Sequence, residues 1–144
     1  MSKIKPIAYW ITTILLALML LLGGITEFAR QPDTLQGMRK LGYPDYLMLI
    51  LGTWKILGTI AILAPRLPRA KEWAYAGIFF DLTGASASHT MAGDYGPGYF
   101  HVYVPLLIVL LAIVSWALRP QSRVLGKICH SSDSTSASTP SLQT

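Results

Sequence analysis

Four apolar stretches, separated by short polar loops, constrain the fold of this chain more than any other feature of its sequence. They cover about residues 7–28, 46–64, 73–89 and 102–118. About 20 apolar residues in a helix cross about 30 Å of hydrocarbon, so each stretch can span a bilayer, the fourth only just. The chain is 52% hydrophobic and 13% charged, whereas soluble domains carry about 25% charged residues. We therefore predict an all-α integral membrane four-helix bundle.

The lysines and arginines predict how these spans are oriented. Four spans place both termini on one side, where eight of these residues fall, against three on the other. Because basic residues concentrate in cytoplasmic loops, we predict a multi-pass protein of the cell (inner or plasma) membrane with both termini in the cytoplasm. The four-span domain is expected to cover residues 1–130. Residues 131–144 are almost all Ser, Thr, Ala and Pro, which predicts a disordered tail.

Two charged residues lie inside apolar stretches, Lys55 in the second and Asp81 in the third. An unpaired carboxylate in the middle of a membrane costs several kcal/mol, so Asp81 needs a partner within the bundle, and Lys55 is at a matching depth. We predict a buried polar site formed by this pair. It is either functional or a structural pair that fixes the register of the helices.

The third stretch places Gly77, Asp81, Gly84 and Ser88 on one helical face. This face is small and polar, so we expect neighbouring backbones to approach it closely. The opposite face, with Ile78, Phe79 and Leu82, is expected to contact lipid or to pack loosely.

A second set of polar residues is expected near the outer membrane surface. Its possible roles are proton transfer, head-group recognition or simple hydrogen bonding to interfacial water. No spacing motif supports a metal site, and we predict neither a metal nor a catalytic residue. The predicted outer layer consists of Glu27, His89, Asp94 and His101.

The loop between the first two stretches, residues 30–45, could contain a short amphipathic helix. Asp33 would be its N-cap, and Gly42 and Pro44 would end it. An ordinary connecting loop fits the same residues equally well.

Several short motifs make the chain similar to the DoxX-like family of small four-helix membrane proteins, over about residues 8–118. The resemblance implies the same fold and membrane location, and no catalytic residue follows from it. The motifs are Gly23-Gly24 with Glu27, the segment 40–46, Lys55-Ile-Leu-Gly58, Leu63-Ala-Pro65, the segment 71–77, and Ser88-His89 before Gly93-Asp94.

Two functions fit these observations. The first is an accessory subunit or binding module that associates with other membrane subunits, as in the quinol-oxidising complex from which the family takes its name. A quinone contact would suit this role, although no cofactor motif supports it and no cofactor is predicted. The alternative is a small carrier of protons or a small solute that uses Lys55 and Asp81. Carriers often contain broken helices; we expect spans without an internal proline, which favours the first function. The basic residues lie at the ends of apolar stretches, so the net charge of +5 does not indicate nucleic-acid binding.

Overall fold

The structure, a computed structural model, describes residues 4–120, which form five α-helices and a short 3₁₀ turn at Pro97–Tyr99. The predicted tail at residues 131–144 lies outside the described residues. The helices are α1 (Ile4–Phe28), α2 (Pro32–Lys40), α3 (Tyr46–Leu63), α4 (Pro68–Ala92) and α5 (Phe100–Ala117).

The four long helices pack in a ring of antiparallel neighbours. Helix α1 contacts α3 and α5, and α4 contacts the same two helices from the other side. One end of the bundle, here called the histidine end, contains α2, the α3 N-terminus, the α4 C-terminus and the 3₁₀ turn. The other, here called the terminal end, contains the first residues of α1 and the last residues of α5. The predicted all-α bundle is confirmed.

Three of the described helical segments are long and apolar enough to cross a membrane: Ile4–Phe28, Tyr46–Leu63 and Pro97–Ala117. Their outward faces expose large apolar side chains, such as Ile14, Ile60 and Leu107, as expected for surfaces in contact with lipid. The chain is a multi-pass membrane protein. Helix α4 has 25 residues, enough to cross a bilayer, but its apolar character is diluted by Asp81 and by many small and hydroxyl residues.

An apolar core fills the central part of the bundle. All four long helices contribute to it, and dense van der Waals packing between their side chains holds the ring together, because lipid offers no hydrophobic driving force for association. Ile78 and Leu82 of α4 are buried in it, so the expectation that they contact lipid or pack loosely is wrong. Phe79, for which the same was expected, is exposed, as is Phe80. The core consists of Leu16, Ala17, Leu20, Ile62, Tyr75, Ile78, Leu82, Val109 and Ala112.

Helices α1 and α3 approach each other closely at Gly24 and Gly52. A Cβ atom at Gly52 would lie 2.7 Å from the backbone N of Phe28 and 2.8 Å from the carbonyl O of Gly24. Glycine is therefore required there for the two backbones to touch. At Gly77 and Gly84 a Cβ would meet nothing within 4 Å, so the predicted close packing of this α4 face is wrong.

Lys71, which is fully buried, joins the start of α4 to the end of α3. Its ammonium group donates hydrogen bonds to the carbonyl oxygens of Ala61 (2.9 Å) and Ile62 (2.6 Å). These carbonyls belong to the last turn of α3, where a cation is favoured by the helix dipole and by unsatisfied acceptors. The contact fixes the turn between the two helices.

Two local expectations need correction. Helix α2 is present, but its N-cap is Gln31, and Asp33 lies within its first turn. There the Asp33 carboxylate is stabilised by the positive end of the helix dipole, but it does not cap the helix. Pro105 lies inside α5, so the expectation that no span contains a proline is wrong, although α5 continues as one helix from Phe100 to Ala117. Pro105 lacks an N–H group, so the carbonyl one turn before it loses its helical partner.

Candidate functional site

A cluster of three charged residues occupies the middle of the bundle. The Lys55 ammonium group from α3 contacts Oε1 of Glu27 on α1 and lies 3.5 Å from Oδ2 of Asp81 on α4. The three side chains are largely buried, with exposed fractions of 16% for Lys55, 13% for Glu27 and 21% for Asp81. Since Gly24 and Gly52 lie one helical turn away from Glu27 and Lys55, the close approach of α1 and α3 brings this pair together.

The cluster contains two carboxyl groups and only one ammonium group, and its hydrogen bonding is incomplete. Among residues 4–120, neither Oε2 of Glu27 nor Oδ2 of Asp81 has a hydrogen-bond donor, although both atoms are buried. A buried carboxylate oxygen without a donor is costly. The cluster is therefore suited to bind a group that brings hydrogen-bond donors or positive charge.

Lys55 and Asp81 face two separate spaces. One is a polar cavity of about 510 Å³ on the histidine side, which Glu27, His89 and α2 also line. The other is an apolar groove of about 430 Å³ between α3 and α4, whose walls include Trp54 and Trp73. Gly77 borders the groove and Gly84 the cavity. The open space beside these glycines explains why the predicted close packing does not occur there.

Two imidazoles and a carboxylate meet at the histidine end. Oδ2 of Asp94 lies 3.1 Å from Nδ1 of His89 and 3.3 Å from Nδ1 of His101, and the two rings are 5.0 Å apart. Desolvation raises the pKa of Asp94, but the hydrogen bond with His89 and the electrostatic influence of His101, His89 and Lys40 together bring it below its usual range. The carboxylate is thus held ionised beside the two rings.

The end of α4 determines this arrangement. Gly93 has a left-handed backbone (φ +68°), and the N–H of Asp94 donates to the carbonyl of His89 at 2.9 Å while that of Gly93 donates to Thr90. This is the Schellman pattern of hydrogen bonds, which turns the chain back over the last helical turn. It places the Asp94 carboxylate within hydrogen-bond distance of Nδ1 of His89.

A hydroxyl network in the terminal half was not predicted from the sequence. Ser115 on α5 shares hydrogen bonds with Thr13 of α1 (2.7 Å) and Tyr75 of α4 (2.8 Å). Thr13 and Ser115 are fully buried. The only available signal was a hydroxyl residue inside each of two apolar stretches, and such residues commonly hydrogen-bond within their own helix.

The structure brings the six predicted site residues into two groups. Lys55 and Asp81 lie together as expected, while Glu27 joins them instead of the histidines. His89, Asp94 and His101 form the second group. Whether either group serves a function stays a prediction; what the structure adds is their geometry.

Comparison with known proteins gives one match. The model of the DoxX-like family matches residues 11–115, a region that contains all four long helices' central parts and every residue of both groups. No curated protein and no solved structure matches the chain. On the strength of the family match, which covers most of its length, the chain belongs to the DoxX-like family.

Proposed function

We propose that this protein is a binding module for a lipid-soluble quinol, acting as an accessory subunit of a quinone-linked membrane complex. The observation that carries the proposal is that Lys55 and Asp81 line the apolar groove and the polar cavity at once. A ligand that enters from lipid through the groove would bring its polar head group to the charged cluster.

The chemistry of a quinol fits both parts of this space. Its ring is apolar and planar, and Trp54 and Trp73 supply aromatic surface along the groove. Its hydroxyl groups can donate hydrogen bonds, and the carboxylate oxygens of Glu27 and Asp81 that lack a donor can accept them. The Lys55 ammonium group could donate to the carbonyl oxygen of the oxidised form. The groove is thereby matched to a hydrophobic molecule with a small polar head.

The position of the apolar core favours a binding module over a carrier. Leu20 and Ile62 of the core each lie seven residues from a charged residue of the cluster, Glu27 and Lys55, on the terminal side. Seven residues correspond to roughly 10 Å along a helix. Packed apolar residues therefore lie between the charged cluster and the terminal end along α1 and α3, which disfavours a continuous polar path across the bundle.

The orientation in the membrane is part of the proposal. The basic residues support a histidine end outside the cytoplasm and both termini inside it. A reporter that is active only outside the cytoplasm, fused after Ser122, should be silent. Strong reporter activity at that position would reverse the assigned orientation or require an odd number of spans.

Tryptophan fluorescence tests quinol binding directly. With Trp10 and Trp116 replaced by Phe, the emission of Trp54 and Trp73 in nanodiscs should be quenched saturably by a short-chain quinol. Asp81→Asn and Glu27→Gln remove charged acceptors worth about 1.5–3 kcal/mol, so each should weaken binding about ten- to a hundredfold.

The exposed carboxylate Asp45, which pairs with Arg39 at the surface, offers a matched control. Asp45→Asn should bind the quinol like the parent protein. Equal affinity of the Asp81→Asn and Asp45→Asn variants would contradict the proposed site. Proton flux in liposomes that contain only this protein, abolished by Asp81→Asn, would favour the carrier instead.

A further inference from the structure

We infer that His89, Asp94 and His101 form a binding site for a divalent transition-metal ion, with Zn²⁺ as the representative ligand. The site is at the histidine end, separate from the charged cluster, and the inference does not depend on quinol binding. One ligand atom from each residue lies within 4.8 Å of the others. Two imidazole nitrogens and a carboxylate oxygen are a donor set used by zinc and by ferrous iron in proteins.

The distances between the donor atoms suit a bound ion. Metal–ligand bonds of about 2.0–2.1 Å in a tetrahedral arrangement place neighbouring ligand atoms about 3.3 Å apart. The separations from Asp94 Oδ2 to the two Nδ1 atoms are 3.1 Å and 3.3 Å. These two separations are therefore already close to those expected around a single ion.

One of the three proposed metal-ligand atoms, Nδ1 of His101, has no hydrogen-bond partner among the described residues. His89 Nδ1 hydrogen-bonds to Asp94 Oδ2, whereas His101 Nδ1 is buried and forms no hydrogen bond with any described residue. A buried polar atom without a hydrogen-bond partner requires an explanation, and a bound metal ion is one that the chemistry of an imidazole nitrogen allows. A metal ion would satisfy both imidazoles with the same carboxylate.

The backbone at Gly96 supports the imidazole ring of His101. The φ of Gly96 is +67°, and a Cβ atom there would lie 2.9–3.0 Å from three atoms of the His101 ring. The imidazole therefore packs directly on the Gly96 backbone. In addition, the N–H of His101 donates to the carbonyl of Tyr95 at 3.1 Å. Such a supporting shell is what fixes a metal ligand in a productive orientation.

The fourth coordination position would face the polar cavity, which all three residues line. Zinc sites with three protein ligands keep one position open for water or another ligand. An ion here could therefore exchange with the cavity, and an anionic or hydroxyl-bearing ligand in the cavity could reach it.

Metal titration of the full-length protein tests the inference. After treatment with chelator, the protein in detergent should bind one Zn²⁺ per chain in competition with a chelating dye. Co²⁺ should give the absorption bands of a four-coordinate ion with nitrogen and oxygen ligands. His101→Ala and Asp94→Asn should each lower the affinity by at least about a hundredfold, since changes in supporting residues alone cost 10–100-fold.

The remaining imidazole and the single thiol of the chain provide the control. Cys129 and His130 lie beside each other in the sequence, so the double variant Cys129→Ser, His130→Ala should bind Zn²⁺ like the parent. Loss of binding in this double variant but not in His101→Ala would overturn the inference. Absence of binding in a parent protein of normal helical content would mean that the three residues form a hydrogen-bonded cluster only.

Gly96→Ala gives a test in which none of the three proposed ligand residues is itself replaced. The added methyl group must displace the His101 ring, so metal affinity should fall while circular dichroism shows an unchanged helical content. An unaltered affinity in this variant would contradict the assignment of His101 as a ligand.

Discussion

The two polar clusters inside the bundle differ in how completely their hydrogen bonds are satisfied. In the terminal half, the neutral Thr13–Ser115–Tyr75 network joins three helices, and Thr13 and Ser115 are fully buried. In the middle, the charged Glu27–Lys55–Asp81 cluster borders two open spaces and leaves two carboxylate oxygens without donors. A neutral satisfied network specifies packing at little cost, whereas a charged unsatisfied one is maintained at the expense of stability. The difference identifies the charged cluster as the better candidate for a function.

Lys55→Met should have the largest effect on stability. It leaves two carboxyl groups facing each other in a largely buried site, and uncompensated buried charges cost about 3–5 kcal/mol. Unfolding in mixed detergent, followed by circular dichroism, measures the loss. If Lys55→Met destabilises the protein no more than Asp81→Asn, the Lys55 ammonium group does not compensate both carboxylates.

Gly52→Ala should cost somewhat less, about 1–3 kcal/mol, because the new methyl group overpacks the α1–α3 contact. It should also weaken quinol binding, since separating α1 from α3 moves Glu27 away from Lys55. Gly77→Ala is the matched control: its methyl group meets nothing within 4 Å. That variant should keep or slightly raise stability, because alanine favours the helix. Equal losses of stability in Gly52→Ala and Gly77→Ala would argue against the close contact between α1 and α3.

Ser115→Ala should cost about 1–3 kcal/mol, because it leaves Thr13 and Tyr75 with unmade hydrogen bonds in a buried place. Unlike the changes in the charged cluster, it should leave the affinity for quinol unchanged. Thr83→Ala, which removes an exposed hydroxyl bonded only to its own helix, should be close to neutral. A marked loss of quinol affinity in Ser115→Ala would remove the functional distinction between the two clusters.

The smallest effect is expected at the exposed pair of Arg39 and Asp45. The hydrogen bond from Arg39 lowers the pKa of Asp45 below its usual range, despite opposing desolvation. A folded pKa below the unfolded one stabilises the protein above the unfolded pKa of about 3.9, and this contribution is lost as the pH falls through the folded pKa. Arg39→Ala should therefore reduce the dependence of the free energy of unfolding on pH in the acid range (the acid limb) and change that free energy little at neutral pH. An unchanged acid limb would indicate that the pair is not formed in solution.

Sequence reasoning was most reliable where a single helix is sufficient to determine the outcome. The lengths of the apolar stretches predicted the long helices to within a few residues, and the charges within them predicted that Lys55 and Asp81 would meet. Apart from the Lys55–Asp81 pair, which the presence of charges within apolar stretches required, sequence reasoning did not predict the relations between helices. The rotation of α4 placed Ile78 and Leu82 in the core, and Glu27 turned out to lie beside Lys55, which neither hydropathy nor spacing could indicate.

The sequence by itself determined that this chain forms apolar helices in a membrane, because backbone polar groups in hydrocarbon must be satisfied within each helix. It also determined that the charges within those helices need partners. Only the tertiary structure decided which partners they have. Gly24 and Gly52 let α1 and α3 touch, and the left-handed turn at Gly93 folds Asp94 back onto His89. Both outcomes depend on distances between segments remote along the chain or on one backbone angle, and neither is encoded in local composition.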